Sequence, residues 1–391
     1  MAKAPPGAQA AQIDLESAYR QMAILPAHKP YLAIRTAKGV YVDHCNPFGL
    51  SSAAGVLGEA VDAAVDVIRH AVGVALFKWV DDIICGRIPI EELGTLSYAH
   101  GLKDITDILE FLGFGIAYPK VKGFADTCTY NGFWWDIKSK RVGLPDKKRT
   151  KYLGRVSAAL VPRARLLLKD AQTLRGCLVH VCFVFLEGRA RLPSLHRFVS
   201  SFDRNNRFSR RFPSPMMLSD LQWWAAALSH TSFSRSLRVR PLVDLDIWVD
   251  ASTSWGVALV VGAEYQAWQL RPGWDMEGRH IGWAECIGIE IAMLFAARSG
   301  VQDSRVLVHS DNSGAVGQFL KGRSRNTQIN AAIIRAEECS RSANISVEPV
   351  YVKSEENRAD GASRGMPQPD LSPLSRPIAL GAAIRPFFID G

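Results

Sequence analysis

No CxxC pair and no cysteine–histidine group at zinc-binding spacing occurs among the seven cysteines, Cys45, Cys85, Cys128, Cys177, Cys182, Cys286 and Cys339. That excludes a structural zinc module and fits a reducing compartment. Runs long enough to cross a bilayer are also missing. The longest apolar stretch, Leu174 to Leu186, is interrupted by His180 and is too short. Met1 to Ala11 is rich in Ala and Pro and has no basic segment followed by an apolar core, so no secretory signal is visible. Together these absences predict an intracellular protein, of cytoplasm or nucleus, with no membrane partner. No fixed-period repeat is present, which excludes a solenoid. Acidic residues are outnumbered, 38 against 47 Lys and Arg, for a net charge of +9, and this excess points to a polyanionic partner.

What is present is ordinary globular composition over 391 residues, 48% hydrophobic and 22% charged, enough for two or three domains. The positive charge is concentrated. Between Lys147 and Arg211 sixteen Lys or Arg, Arg204 and Arg207 among them, stand against Asp170, Glu187 and Asp203. A charge run is commonly a solvated face, but this density with Trp223 and Trp224 close behind favours contact with a nucleic-acid backbone.

The chemistry centres on Phe77-Lys78-Trp79-Val80-Asp81-Asp82-Ile83-Ile84, two adjacent acids between short apolar runs. The pattern predicts a hairpin with carboxylates at its tip, able to hold a divalent metal or to serve only as a solvated turn. Upstream, Ile13 to Met22 reads as a strand end entering a short helix. Asp14 at the boundary can reach a metal on a neighbouring strand's turn or cap the helix. Tyr31 to Arg35 and Gly39 to Val42 suit a hairpin. Asn46 to Gly55 is a turn whose serines can cap a helix from about Ala53 to Ala71.

In this order, DLESAY, NPFGLSSA and WVDDI resemble the palm of reverse transcriptases. The resemblance implies a metal-binding Asp14, and Tyr19 as an aromatic gate against ribose. It also puts Pro47, Phe48 and Gly49 under the incoming nucleotide, and makes Asp81 and Asp82 the remaining catalytic carboxylates. Trp79 stands where Tyr or Phe is usual, beside the primer end, and Ala54 where Pro is common. By the same resemblance Lys120 lies near the triphosphate, although alone it reads equally as a surface lysine, and Gly132 with Phe133 grips the primer. Asp170 to Leu178 is similar to the family's thumb helix, with Gly176 admitting a close duplex backbone. Asn205 to Pro215 reads as a linker. Such chemistry needs clustered carboxylates holding two hard cations at the in-line transition state.

From Asp244 the pattern becomes a strand meander followed by alternating helices and strands, which predicts a mixed five-stranded sheet with covering helices. The phrases Trp248-Val249-Asp250-Ala251-Ser252, Ser310-Asp311-Asn312-Ser313 and Asn357-Arg358-Ala359-Asp360-Gly361-Ala362-Ser363-Arg364 resemble ribonuclease H. That implies a catalytic, metal-binding set of Asp250, Glu285, Asp311 and Asp360. Glu290 competes with Glu285; five residues apart they lie about 140° around a helix, so only one can face the sheet. The resemblance picks Glu285. Lys353 to Glu356 has no His where many ribonucleases H carry one.

The expected fold is therefore multidomain, α+β and α/β. It comprises a palm over 1–145, a basic helical thumb and connection over 146–243, a ribonuclease H-like domain over 244–365, and an irregular tail over 366–391. The expected function is RNA-directed DNA polymerase with ribonuclease H activity. It implies two Mg²⁺ or Mn²⁺ per site and, as partners, an RNA template, a DNA primer, RNA–DNA hybrid and deoxynucleotide triphosphates. The whole is most similar to retrotransposon or pararetrovirus polyproteins, particularly tyrosine-recombinase retrotransposons. Thirteen residues precede Asp14, so the family's fingers segment is expected to be largely missing and the chain to be part of a polyprotein. The rival expectation is a non-catalytic nucleic-acid-binding remnant of a mobile element.

Overall fold

A computed structural model describes residues 1–92, 95–203, 205–206, 208–230 and 233–389. Arg204 and Arg207 of the basic run, and Asp390 and Gly391 of the tail, lie outside the described residues. The fold is mixed α/β and divides into two compact units, Met1–Asp146 with Phe233–Arg238, and Lys147–Ser232 with Val239–Gly391. Among the described residues no helix is long and apolar enough to cross a membrane.

The first unit is built on a four-stranded antiparallel sheet in the order Ala75–Trp79, Asp82–Arg87, Gln9–Asp14, Lys122–Ala125. Strand alternation gives this sheet two unlike faces. Ile13, Leu76, Ile83 and Cys85 are buried in one core with Leu57, Val61, Val65 and Ile68 of the helix Ala53–Val72, and with Ile105 and Leu109 of the helix Leu102–Phe111. The 57, 61, 65, 68 spacing is one stripe of a helix, and each such side chain contributes about 1.5–3 kcal/mol by leaving water. Phe77 and Trp79, alternating with Leu76, stay 65% and 64% exposed. The helix begins at Ala53 as expected, but Ser52 at its N-cap keeps a helical backbone and makes no side-chain cap. It ends at Gly73, whose φ of 70° only glycine adopts freely. Ala33–Thr36 and Gly39–Val42 form the expected hairpin, with every residue of both strands exposed. A second antiparallel sheet runs Ser234–Ser236, Arg141–Gly143, Phe133–Asp136, Thr127–Tyr130. Its Asn131-Gly132 turn has φ of 51° and 74°, the two left-handed residues of a primed hairpin turn.

In the second unit the helices Leu168–Val181, Pro193–Ser200 and Pro215–Ser229 bury Leu174, Leu178, Leu195, Leu221 and Trp224. A Cβ on Gly188 would stand 2.0 Å from the Trp224 ring, so that contact demands glycine. The larger sheet has Glu264–Gln269, Gly256–Val261 and Ile247–Ala251 as an antiparallel meander. Arg305–Ser310 lies parallel to the last of these, and Ser346–Tyr351 parallel to Arg305–Ser310. Short parallel strands Leu242–Val243 and Ser372–Pro373 extend the expected five to seven. The helices Ile281–Arg298 and Thr327–Arg341 join Ile247, Val249, Val306 and Val308 in one core. The short helix Asp360–Ser363 packs with Ala258 and Val260. The composition beyond Met366 gave the tail no role, yet Leu374, Ile378, Ile384 and Phe388 are buried in the main core. Four apolar side chains spaced among prolines carry no periodicity, so pattern reading passes over them.

Candidate functional site

Asp250 lies near the end of Ile247–Ala251, and Asp311 directly follows Arg305–Ser310. These parallel strands pair at Trp248 and His309, so the two aspartates sit two residues further on, at the same end and on the same side. Glu285 comes from the second turn of Ile281–Arg298. That helix approaches the sheet at Gly288, where an added Cβ would be 3.1 Å from Val249 Cβ. Asp250, Glu285 and Asp311 each place a carboxylate oxygen so that all three lie within 4.8 Å of one another, the one such trio of potential metal ligands among the described residues.

Asp250 and Glu285 are each only 5% exposed. Burial, reinforced by the charges of Asp250 and Asp311, pushes the Glu285 carboxyl up to about 9. Burial likewise raises Asp250 to about 7, with the Ser363 hydrogen bond pulling it down and Asp311 and Asp360 pushing it up. Two full charges at that separation repel by roughly 3 kcal/mol at an effective dielectric of 20, so three carboxylates cannot all ionise there without a compensating positive charge. Glu285 Oε2 is buried and has no hydrogen-bond partner among the described residues. An all-oxygen donor set with an orphaned carboxylate oxygen fits a hard divalent cation such as Mg²⁺ or Mn²⁺.

Asp360 does not join the trio. Its carboxylate is held by Arg364 one helical turn on, Nη2 to Oδ1 at 2.7 Å with Nε at 3.1 Å from both oxygens. The sequence reading missed three residues that do touch the trio. Asn357 Nδ2 donates to Asp250 Oδ1 at 3.3 Å and Asp311 Oδ1 at 3.2 Å. Ser363 Oγ donates to Asp250 Oδ2, and Ser354 Oγ to Asp311 Oδ2. Asn357 and Ser363 flank Asp360 at three residues either side within the quoted phrase, which was the available signal. Glu290 is accounted for differently. Arg335 of Thr327–Arg341 grips both its oxygens at 2.7 Å, Nε to Oε1 and Nη2 to Oε2, which leaves Glu285 as the helix carboxylate toward the strands.

Two acids of the first unit, Asp81 and Asp82, stand at a hairpin. Trp79 pairs with Asp82 across the two-residue turn Val80-Asp81, with Val80 at φ 59°, a strained position for a β-branched residue. Asp14 lies directly opposite Asp82 on the adjacent strand. Burial raises the Asp82 carboxyl, Asp81 and Asp14 raise it further, and a 3.5 Å hydrogen bond from Gln12 Nε2 and the charge of Lys120 oppose them. Lys120 Nζ contacts Asp14 Oδ1 at 3.0 Å, which holds its own ammonium above the usual lysine range. The turn Ala117 to Lys120 is tied to this strand by Ala117 N donating to Asp14 O at 2.9 Å. The carboxylate oxygens of Asp14, Asp81 and Asp82 do not all come within 4.8 Å of one another, as those of the second cluster do.

Tyr19 and Phe48 make an edge contact at 5.0 Å, with Phe48 76% exposed beside half-buried Pro47 and Gly49 at φ 93°. Gly132 and buried Phe133 lie at the turn of the second sheet of this unit. Gly176 sits on the exposed side of Leu168–Val181, and a Cβ there would meet nothing within 4 Å.

No family model and no curated protein matches the chain. Solved structures of foamy viral protease–reverse transcriptase are similar to it. One, the protease–reverse transcriptase dRH in complex with double-stranded DNA, is 15% identical over 90% of this chain and 58% of its own, TM-score 0.47. A complex with RNA/DNA hybrid is 14% identical over 96% and 47%, TM-score 0.46. A third, with double-stranded DNA, is 15% identical over 88% and 68%, TM-score 0.45. The chain thus spans about half to two thirds of their length.

Proposed function

We propose that the second unit is a ribonuclease H-type nuclease cutting RNA in an RNA–DNA hybrid. In the same reading the first unit is a reverse transcriptase palm, so that the chain is the RNA-directed DNA polymerase and ribonuclease H region of a retroelement. The observation that carries this is the meeting of Asp250, Glu285 and Asp311, from elements up to 61 residues apart in the chain, as one buried oxygen cluster. The domains of this reading are 1–145, 146–243, 244–365 and 366–391.

Two Mg²⁺ or Mn²⁺ per site would supply a water or primer hydroxyl of lowered pKa and charge neutralisation at the phosphorus. Asp250, Glu285 and Asp311 would hold them in the second unit, with Asp360 joining once it leaves Arg364. Burial keeps bulk water from the cluster and strengthens each electrostatic contact. In the first unit Asp14, Asp81 and Asp82 would play the corresponding part. Tyr19, Pro47, Phe48, Gly49 and Lys120 would bind the deoxynucleotide triphosphate, and Trp79, Gly132, Phe133 and Gly176 the primer duplex. The basic run would neutralise backbone phosphates of template RNA and DNA primer.

A second reading, nucleic-acid binding without polymerase chemistry, has its own support. Lys120 already neutralises Asp14, and the three acids of the first unit do not converge as those of the second do. Primer extension and hybrid cleavage by the purified protein in Mg²⁺ or Mn²⁺, wild type beside Asp81→Asn and Asp311→Asn, separate the two. Cleavage lost in Asp311→Asn is the expected result, and cleavage that survives it would show the assigned site to be wrong. Hybrid binding that weakens steeply with salt, without extension, would leave only the second reading for the first unit.

A further inference from the structure

We infer that Asn357 is a positioning residue that sets the separation of Asp250 and Asp311 before any cation arrives; this rests on the nuclease reading of the second unit. The strands that carry the two aspartates are paired at Trp248 and His309 and nowhere beyond. The ladder therefore ends before the acids, and backbone pairing does not fix their separation. The Asn357 carboxamide is buried, 4% exposed, at this point. Its nitrogen lies 3.1 Å from Val249 O, 3.3 Å from Asp250 Oδ1 and 3.2 Å from Asp311 Oδ1. One group thus ties both side chains to the backbone of one strand.

The orientation of the amide is fixed from its other side. Asn357 Oδ1 accepts from Ala359 N at 3.1 Å, and Asn357 N donates to Ser354 O at 3.1 Å. Only the NH₂ edge can then face the carboxylates. The chemistry suits the task because a primary amide donates without carrying charge. A lysine or arginine there would form an ion pair, like that of Lys120 with Asp14, and compete with a cation. Asn357 gathers the acids and leaves their negative charge uncompensated. Residues that orient metal ligands in this way commonly change metal affinity or activity by 10–100-fold.

The probe is Mn²⁺ alone, titrated into the full chain without nucleic acid and followed by calorimetry. Binding that disappears in Asp250→Asn belongs to this cluster. In Asn357→Ala that increment should persist with about 10–100-fold weaker affinity. Affinity equal to wild type, while Asp250→Asn still loses it, overturns the positioning role and leaves the nuclease reading intact. Absence of any Asp250-dependent binding in wild type overturns both. If Asn357→Ala does not fold, Asn357→Asp keeps the shape and replaces the donors with a further carboxylate. Its melting temperature in chelator should be below wild type and its gain on adding Mn²⁺ larger. Wild-type values for both would also overturn the proposal.

Discussion

Asp82 and Asp250 each stand beside a second aspartate from an adjacent strand, but the first pair has a lysine attached and the second has a buried glutamate. Asp14 and Asp82 face each other on antiparallel strands at a hairpin, and Lys120, 68% exposed, reaches Asp14 from solvent. Asp250 and Asp311 end parallel strands beneath a helix, and the third member of their cluster is Glu285, another carboxyl, which burial and its neighbours keep protonated up to about 9. The contrast shows that carboxylate number says less about a cation site than what else is available to neutralise it. A surface hairpin can recruit a long flexible cation from its own chain. In the cluster under the helix at Gly288 the nearby Arg364 makes its hydrogen bonds to Asp360, and neutral donors from Asn357, Ser354 and Ser363 serve Asp250 and Asp311.

The largest effect that would break this contrast lies in the helix Ile281–Arg298. Glu285→Gln should lower hybrid cleavage by about a hundredfold or more, because it removes a ligand of the cluster. Glu290→Gln should leave cleavage within a few-fold of wild type, since Glu290 serves Arg335 rather than the strands. Single-turnover cleavage of a labelled hybrid reads both. Equal losses would mean that the helix carboxylate has been misassigned.

Next in size is the pH dependence of stability. Glu285 stands near 9 when folded against an ordinary 4.5, and Asp250 near 7 against 3.8. Between those limits the folded chain keeps protons that the unfolded chain has lost, so stability falls as pH rises, from about 4 to 7 through both groups and on to 9 through Glu285. The loss should amount to a few kcal/mol, on the order expected for shifts of several pH units. Hydrogen exchange of the Ile281–Arg298 amides in chelator at pH 6 and pH 9 measures it. Mn²⁺ or Glu285→Gln should flatten the difference, and a flat profile in untreated wild type would remove the charge argument for the second cluster.

Much of this arrangement could be read from local pattern. The hairpin at Asp81-Asp82, the helix starting at Ala53, and the strand and helix carrying Asp250 and Glu285 each follow from periodicity and turn chemistry over fewer than twenty residues. Side-chain partnerships could not be read that way. Arg335 lies 45 residues from Glu290 and Lys120 lies 106 from Asp14, and no local pattern carries information about such pairs. Asp360 illustrates the same limit at short range. Its place in the phrase Asn357 to Arg364 follows from the sequence, while its engagement by Arg364 depends on rotamers that spacing alone does not fix. Asn357 and Ser363 escape such pattern reading because neutral donors carry no charge signal, although they lie in the same phrase as Asp360.

The smallest expected effect concerns Lys120. If this lysine acts as the first cluster's internal cation, Lys120→Gln should free Asp14 and increase Mn²⁺ affinity at the hairpin, by a few-fold because the pair is largely solvated and screened. Paramagnetic broadening of the Trp79 indole signal, which lies on the residue paired with Asp82, reports binding at that end of the sheet without interference from the second cluster's own tryptophans once those are assigned. Primer extension supplies the opposing readout. A lysine that mainly contacts triphosphate would, when replaced, raise the KM for deoxynucleotide and leave Mn²⁺ binding at Asp14 unchanged. Stronger Mn²⁺ broadening with unaltered nucleotide dependence would instead establish Lys120 as the counter-ion that the second cluster does without.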